Sequence, residues 1–229
     1  MEKMTRSYDI VFCVDVSGSA ATYLELVKKW IWDFPSFLVS ENELLDRRVS
    51  DARIKIVPFR DLSADANGLS VSPWFVVEPD GDSQLLRRFL DELEAIGGGD
   101  EPESALEALG VAINSPWARI PGRRSVIVLF TDASAHKLEN RVGQIPEEFR
   151  HQVPASLDEL KQWWGESSYL LSAAGRVPGH RTLLVFGPDA YPWHVIGDSF
   201  AHTCWFPSRE PGHFEVNPSS LWSRIEGAR

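Results

Sequence analysis

Residues 8–14 read Tyr-Asp-Ile-Val-Phe-Cys-Val, a β-branched and aromatic run of the length of a fully buried strand, and it stops on a carboxylate, Asp15. Two hydroxyls follow at alternate positions, Ser17 and Ser19, with Gly18 between them. A strand that delivers Asp15, Ser17 and Ser19 into one tight turn offers three oxygen donors at its C-terminal end. Hard divalent cations, Mg²⁺ above all, take such donors in near-octahedral geometry. The same five residues also describe a plain strand-to-helix turn in which Ser19 caps the following helix. Both readings begin the fold with strand, turn and helix.

The chain has 229 residues, 43% of them apolar and 24% charged, enough for one α/β domain with a sizeable core. Its formal net charge of −10 argues against a nucleic-acid partner, whose phosphates require a basic face, and against anionic membrane surfaces. No leader-like apolar segment precedes the first strand, and no run approaches the roughly 18 apolar residues of a membrane span. A cytoplasmic location is the expectation. Cys13 and Cys204 lie in apolar strand-like runs without a CxxC neighbour and read as buried free thiols of a reducing compartment. Nine tryptophans read first as packing residues, with any exposed subset marking a binding surface.

Leu24, Val27, Ile31, Phe34 and Leu38 recur at steps of three and four, predicting a helix from about residue 20 to residues 41–45. Pro35 inside it is expected to kink or split it. Residues 53–59 form the second strand, closing near Pro58, and residues 71–77 a short strand whose Pro73 marks a sheet edge. A helix capped by Asp82 or Ser83 follows and ends at Gly97-Gly98-Gly99. The acids around Pro102 start another over 104–114. Residues 125–130 are the most strongly apolar strand, and they too end at an acid, in Thr131-Asp132-Ala133. Residues 134–154 show no clean period and form a long loop or hide a short helix. A helix capped by Ser156 and carrying Leu157, Leu160 and Trp164 comes next, then a strand over 182–186, a helical turn over 193–196, a strand over 202–206 and a closing helix over 219–225.

Strands alternating with helices indicate right-handed crossovers and a mostly parallel sheet covered on both faces, a single doubly wound α/β domain over residues 1–229. In such sheets ligands bind beyond the C-terminal strand ends at the topological switch point. Asp15 and Asp132 would converge there if their strands were neighbours.

At these residues the chain resembles the von Willebrand factor A (vWA) domain family. Asp15-x-Ser17-x-Ser19 is similar to the first motif of that family's metal-ion-dependent adhesion site, and Thr131-Asp132-Ala133 to the third. The middle motif of the family is usually a threonine after a glycine pair; here Gly98-Gly99 is followed by Asp100, with Glu103 three residues on. That form, together with Phe59-Arg60-Asp61, resembles the integrin β type and some kinase-linked vWA proteins; in the integrin β type a glutamate at the place of Glu103 reaches the metal. The resemblance implies a Rossmann-like sheet of order 3-2-1-4-5-6 with one antiparallel edge strand. It further implies Mg²⁺ or Mn²⁺ held directly by Ser17 and Ser19 and mainly through waters by Asp15 and Asp132. Neutral hydroxyl ligands leave the cation under-neutralised and ready to take a carboxylate from a partner. Asp100 or Glu103 would add an internal carboxylate and make the site structural or gated. Acids in a helix's first turn are stabilising by ~0.5 kcal/mol in any case, so a helix-start role stays open for both. Ala20-Ala21-Thr22-Tyr23 stand where integrin β subunits carry the acids of an adjacent calcium site, and no second site is expected.

Gly18 and His136 are the candidate partner-facing positions, with a plain surface histidine as the other reading of His136. Arg60-Asp61 reads as an internal ion pair. His202 and Cys204 lack the further ligands a zinc site needs. Aspartyl-phosphate phosphatases place a second aspartate where this chain has Ser17, which cannot do general acid work. No Gly-rich phosphate loop with its lysine, GxSxG or HExxH occurs, so an enzyme is not expected. The expected function is a metal-dependent protein-interaction module, an intracellular adaptor or regulator whose partner supplies an acid to the metal. Stand-alone vWA proteins of this kind resemble components of kinase, phosphatase or ATPase systems. The loop over 134–155 is expected to shape partner choice. The alternatives are a scaffold with a structural or vestigial metal site and a Mg²⁺-dependent hydrolase or phosphatase.

Overall fold

The structure, a computed structural model, describes residues 4–44, 47–77, 81–99, 101–118, 120, 123–172, 181–208 and 225. Six strands form one sheet: β1 (Met4–Asp15), β2 (Arg47–Phe59), β3 (Phe75–Val76), β4 (Arg123–Phe130), β5 (Arg181–Pro188) and β6 (Thr203–Ser208). The order is β3-β2-β1-β4-β5-β6, with every pairing parallel except β2–β3. This is the order and the antiparallel edge expected for a doubly wound vWA-like sheet.

Alternation along β1 divides two cores. Ile10, Phe12 and Val14 face α1 (Leu24–Leu44) and α2 (Ser83–Asp91). Val11 and Cys13 face α3 (Ala105–Ile113), α4 (Leu157–Ser172) and α5 (Trp193–Ser199). Successive side chains of a strand point to opposite faces, so an almost unbroken apolar strand is one covered on both. Trp164 and Trp193 are buried, and Trp30, Trp32, Trp74, Trp117, Trp163 and Trp205 pack against the two cores. Cys13 is buried and Cys204 half-buried, both free thiols. Among the described residues no helix is long and apolar enough to cross a membrane.

Several elements differ from expectation. Helix α1 runs through Pro35 as one element. Ile31, Phe34 and Leu38, all buried against the sheet, hold the helix on both sides of the missing N–H. The segment around Pro73 contributes only Phe75–Val76 to the sheet. The Ser72 hydroxyl instead accepts the Ile56 N–H at 2.8 Å, and Leu69 bridges Phe59. Residues 134–155 contain a short 3-10 helix, Glu147–Gln152. Ser156 caps α4 as predicted, its Oγ accepting the Glu159 N–H at 3.1 Å. The last strand starts one residue late because His202 sits at φ 53°, outside extended backbone. The closing helix expected over 219–225 lies, apart from Ile225, outside the described residues.

The N-terminal end of the sheet is fastened by one carboxylate. Asp9 is fully buried and lies in register with Arg53 on β2 and Ser125 on β4. Its Oδ1 accepts Nε of Arg123 at 2.6 Å and of Arg53 at 2.9 Å; its Oδ2 accepts Nη2 of Arg53 at 2.6 Å and the Ala118 N–H at 2.8 Å. Arg123 also pairs with Asp51. Two arginines against two aspartates balance the charge. Breaking a buried pair from one side costs about 3–5 kcal/mol. Asp9→Ala is therefore expected to lower the unfolding free energy by that amount in a urea titration, and a loss below about 1 kcal/mol would contradict the clamp.

Candidate metal centre

The sheet's switch point lies between β1 and β4, whose C-terminal ends carry Asp15 and, two residues past Phe130, Asp132. Three loops meet there. Asp15 is buried; its Oδ1 accepts the Ser17 N–H at 2.9 Å and its Oδ2 the Thr131 hydroxyl at 2.7 Å, joining the first loop to the third. Ser17 and Ser19 stand Oγ to Oγ at 3.1 Å, and Ser19 Oγ donates to Asp132 Oδ1 at 3.0 Å. The buried Tyr23 hydroxyl reaches the same oxygen at 3.4 Å.

The second loop crosses above the first as a glycine strap. Ile96 N–H donates to Val16 O at 3.1 Å, and Gly18 N–H to Gly97 O at 2.9 Å. Gly97, Gly98 and Gly99 all have positive φ, and a Cβ on Gly98 would lie 2.7 Å from Ser17 Cβ and 2.9 Å from Glu103 Oε1. Only glycine allows the strap this close, a requirement the triple glycine had suggested only as a helix stop.

Glu103 enters from the start of α3 and is 3% exposed. It hydrogen-bonds the Ser17 side chain and the Asp61 backbone, while its Oε2 is buried without a hydrogen-bond partner among the described residues. Its backbone is gripped by the third loop: Glu103 N–H donates to Ser134 O and His136 N–H to Glu103 O, both at 3.0 Å. Glu101 Oε1 accepts the Ser134 N–H at 2.6 Å. Asp15, Ser17, Ser19, Glu103 and Asp132 are thus brought together; Asp100 lies outside the described residues.

His136 is not a free surface histidine. Its Nε2 lies 2.9 Å from Asp61 Oδ1, and burial, then the Arg141 charge, press its pKa below the ordinary value. Nor do Arg60 and Asp61 pair with each other. Arg60 meets Asp65 at 3.3 Å and the Ile96 carbonyl at 3.0 Å; Asp61 faces His136, with Arg141 at 3.5 Å. Burial opposes ionisation of Asp61, but the Ser63 N–H and hydroxyl and the His136 ring outweigh it and hold its pKa low. Arg141 pins the long loop to α3: its Nε donates to the fully buried Glu107 at 2.6 Å and its Nη2 to Ser104 Oγ at 2.9 Å. The loop's far end closes on α3 as well, where a Cβ on Gly110 would meet Pro154 Cδ at 2.7 Å.

The electrostatics are those of a site short of positive charge. Burial pushes Asp15 up to about 6. Burial, and then the Asp15 charge, push Glu103 up to about 8. Among the described residues no three His, Cys, Asp or Glu side chains are arranged to hold a cation by themselves. A cation here would draw on the serine hydroxyls as well. Two hydroxyls, flanking carboxylates and an orphaned Glu103 oxygen form a hard oxygen donor set of the kind Mg²⁺ or Mn²⁺ accepts.

Residues 71–161 match the family model described as the von Willebrand factor A domain. That supports a vWA domain. The matched segment holds Glu103, Asp132 and His136 but not the Asp15-x-Ser17-x-Ser19 turn. Among solved structures, proximal thread matrix protein 1 from the mussel byssus is similar at 14% identity and TM-score 0.46, over 97% of this chain and 44% of that one. The pilus adhesin SpaC from Lactobacillus rhamnosus GG is similar at 13% identity and TM-score 0.46, over 99% of this chain and 31% of that one. The chain therefore spans less than half the length of either. No curated protein matches it.

Two outcomes follow for this centre. Gly98→Ala would force a residue into left-handed backbone against Ser17. We expect a loss of about 1–3 kcal/mol in denaturant titration, and weaker Mg²⁺ binding by calorimetry. An acid that titrates higher folded than unfolded makes the fold hold extra protons, so stability falls as pH rises between the two values. In EDTA the melting temperature should fall as pH rises from about 4 through the raised values near 6 and 8. Saturating Mg²⁺ should flatten that decline.

Proposed function

We propose that this protein is a metal-dependent protein-interaction module, an intracellular vWA adaptor or regulator. Its site takes Mg²⁺ or Mn²⁺ with Ser17 and Ser19 as direct ligands, and with Asp15 and Asp132 holding the metal's waters. The observation that carries the reading is the meeting of Asp15, Ser17, Ser19, Glu103 and Asp132 from three separate loops. Nothing in the packing of a doubly wound sheet asks for three carboxylates at that edge. vWA domains often mediate protein–protein interaction, and the cation's chemistry here would be to attract a partner's acid in a partly desolvated position. Gly18 and the half-buried His136 lie on the rim the partner would meet, and an assembly built around a kinase, phosphatase or ATPase suits such an adaptor.

A second reading has an observation of its own. Glu103 is already in the centre with an unbonded oxygen, and a carboxylate bound there would make the metal a structural one, closed to outside acids. Glu103→Gln separates the two: partner capture improves or holds if the site is an open one gated by Glu103, whereas a structural site loses metal and stability together.

Calorimetry with Mg²⁺ and Mn²⁺ tests metal binding, with Asp15→Ala and Ser17→Ala expected to abolish the heat while far-UV circular dichroism stays unchanged. An affinity pull-down in Mg²⁺ and in EDTA then tests the partner. Capture that is identical in both, and unchanged by Asp15→Ala, sinks the adhesion reading.

A further inference from the structure

A pocket of about 270 Å³ opens beside the metal centre, on the other side of the glycine strap. The two adjoin along the chain. Val16 and Ile96 line the pocket and are bonded to each other, while the next residues, Ser17 and Gly97-Gly98, belong to the centre. The buried part of its wall is apolar, from Val16, Pro58 and Leu93, with half-buried Phe89 beside them. Glu92 and Glu94 stand exposed at its edge and make no ion pair among the described residues. Arg60, its charge met by Asp65 at 3.3 Å, forms the remaining wall together with Asn67, Gly68 and Ser70.

Small-molecule sites span roughly 300–1,000 Å³, so this volume suits one long side chain rather than a whole ligand. An apolar wall under two unpaired carboxylates is complementary to one kind of side chain. A lysine or arginine lays its aliphatic stem on such a wall and carries its charge to the edge. We infer that the pocket is a specificity subsite for a basic side chain on the partner segment whose acid reaches the metal. The partner is therefore a protein segment with a basic and an acidic residue close together in sequence. This rests on the acid-capture reading above, and the metal-free arm of the test keeps the two apart.

The probe is N-acetyl-arginine methylamide, which has no carboxylate, titrated into ¹⁵N-labelled protein in EDTA. It should shift the amides of Leu93 and Ile96, with N-acetyl-norleucine methylamide and N-acetyl-glutamate methylamide binding about tenfold more weakly or not at all. Glu92→Gln combined with Glu94→Gln, both exposed and outside the core, should weaken the arginine probe about tenfold, the scale of two rim charge pairs. A peptide carrying both arginine and aspartate should then gain affinity on adding Mg²⁺. If the arginine probe binds and Mg²⁺ adds nothing, the subsite stands and acid capture fails. Unmoved amides, equal binding of the norleucine probe, or preference for the glutamate probe overturns the subsite.

Discussion

A carboxylate taken out of water must find positive charge or give up its own, and β1 meets that demand differently at its two ends. Asp9 is answered by two arginines, and the whole N-terminal edge of the sheet is arranged around that answer. Arg53 comes from one neighbouring strand and Arg123 from the other, with the Ala118 N–H closing the ring. Asp15, six residues on, points to the same face and is equally buried. It receives the Thr131 and Ser17 hydroxyls and the Ser17 N–H, and no cationic side chain among the described residues. The fold thus satisfies one charge fully and leaves the other short, and the shortfall lies where a doubly wound sheet binds ligands.

Around that shortfall the protein gathers parts that do not stabilise one another cheaply. The strap passes over Ser17 in backbone that only glycine adopts freely, and Glu103 is held by the third loop through its main chain while its carboxylate has no full set of partners. Strain and unmet polarity tend to collect at functional positions, where the surroundings over-determine them. Thr131 ties the arrangement together by bonding Asp15 through its hydroxyl while accepting the Ala133 N–H.

Much of this was legible in the residues. The strands announced themselves as apolar runs ending in acids, and because β1 and β4 are neighbours, Asp15 and Asp132 meet as their positions implied. Glu103 was legible as an acid at a helix start, but only its burial distinguishes it from a capping charge. Arg60 and Asp61 illustrate the limit: adjacent residues leaving a strand point to opposite sides, so each found its partner elsewhere, in Asp65 and His136. The Asp9 clamp was invisible for the same reason. Its members lie 44 and 114 residues apart, and nothing local in an Asp or an Arg says which distant strand will lie beside it. Pro35 read as a break because local rules count its missing N–H and not the core that holds its neighbours.

The long loop after Asp132 is fastened at both ends of α3, by Arg141 to Glu107 and Ser104 and by residues 152–154 against Gly110. What is left loose is the short turn beyond Arg141, where Val142 is 58% exposed and a Cβ on Gly143 would touch nothing within 4 Å. That turn is a natural address for a reporter. A dye or short tag carried at Gly143 would ride on an anchored frame a few residues from His136, and would sense the approach of another molecule without loosening anything that holds the centre together.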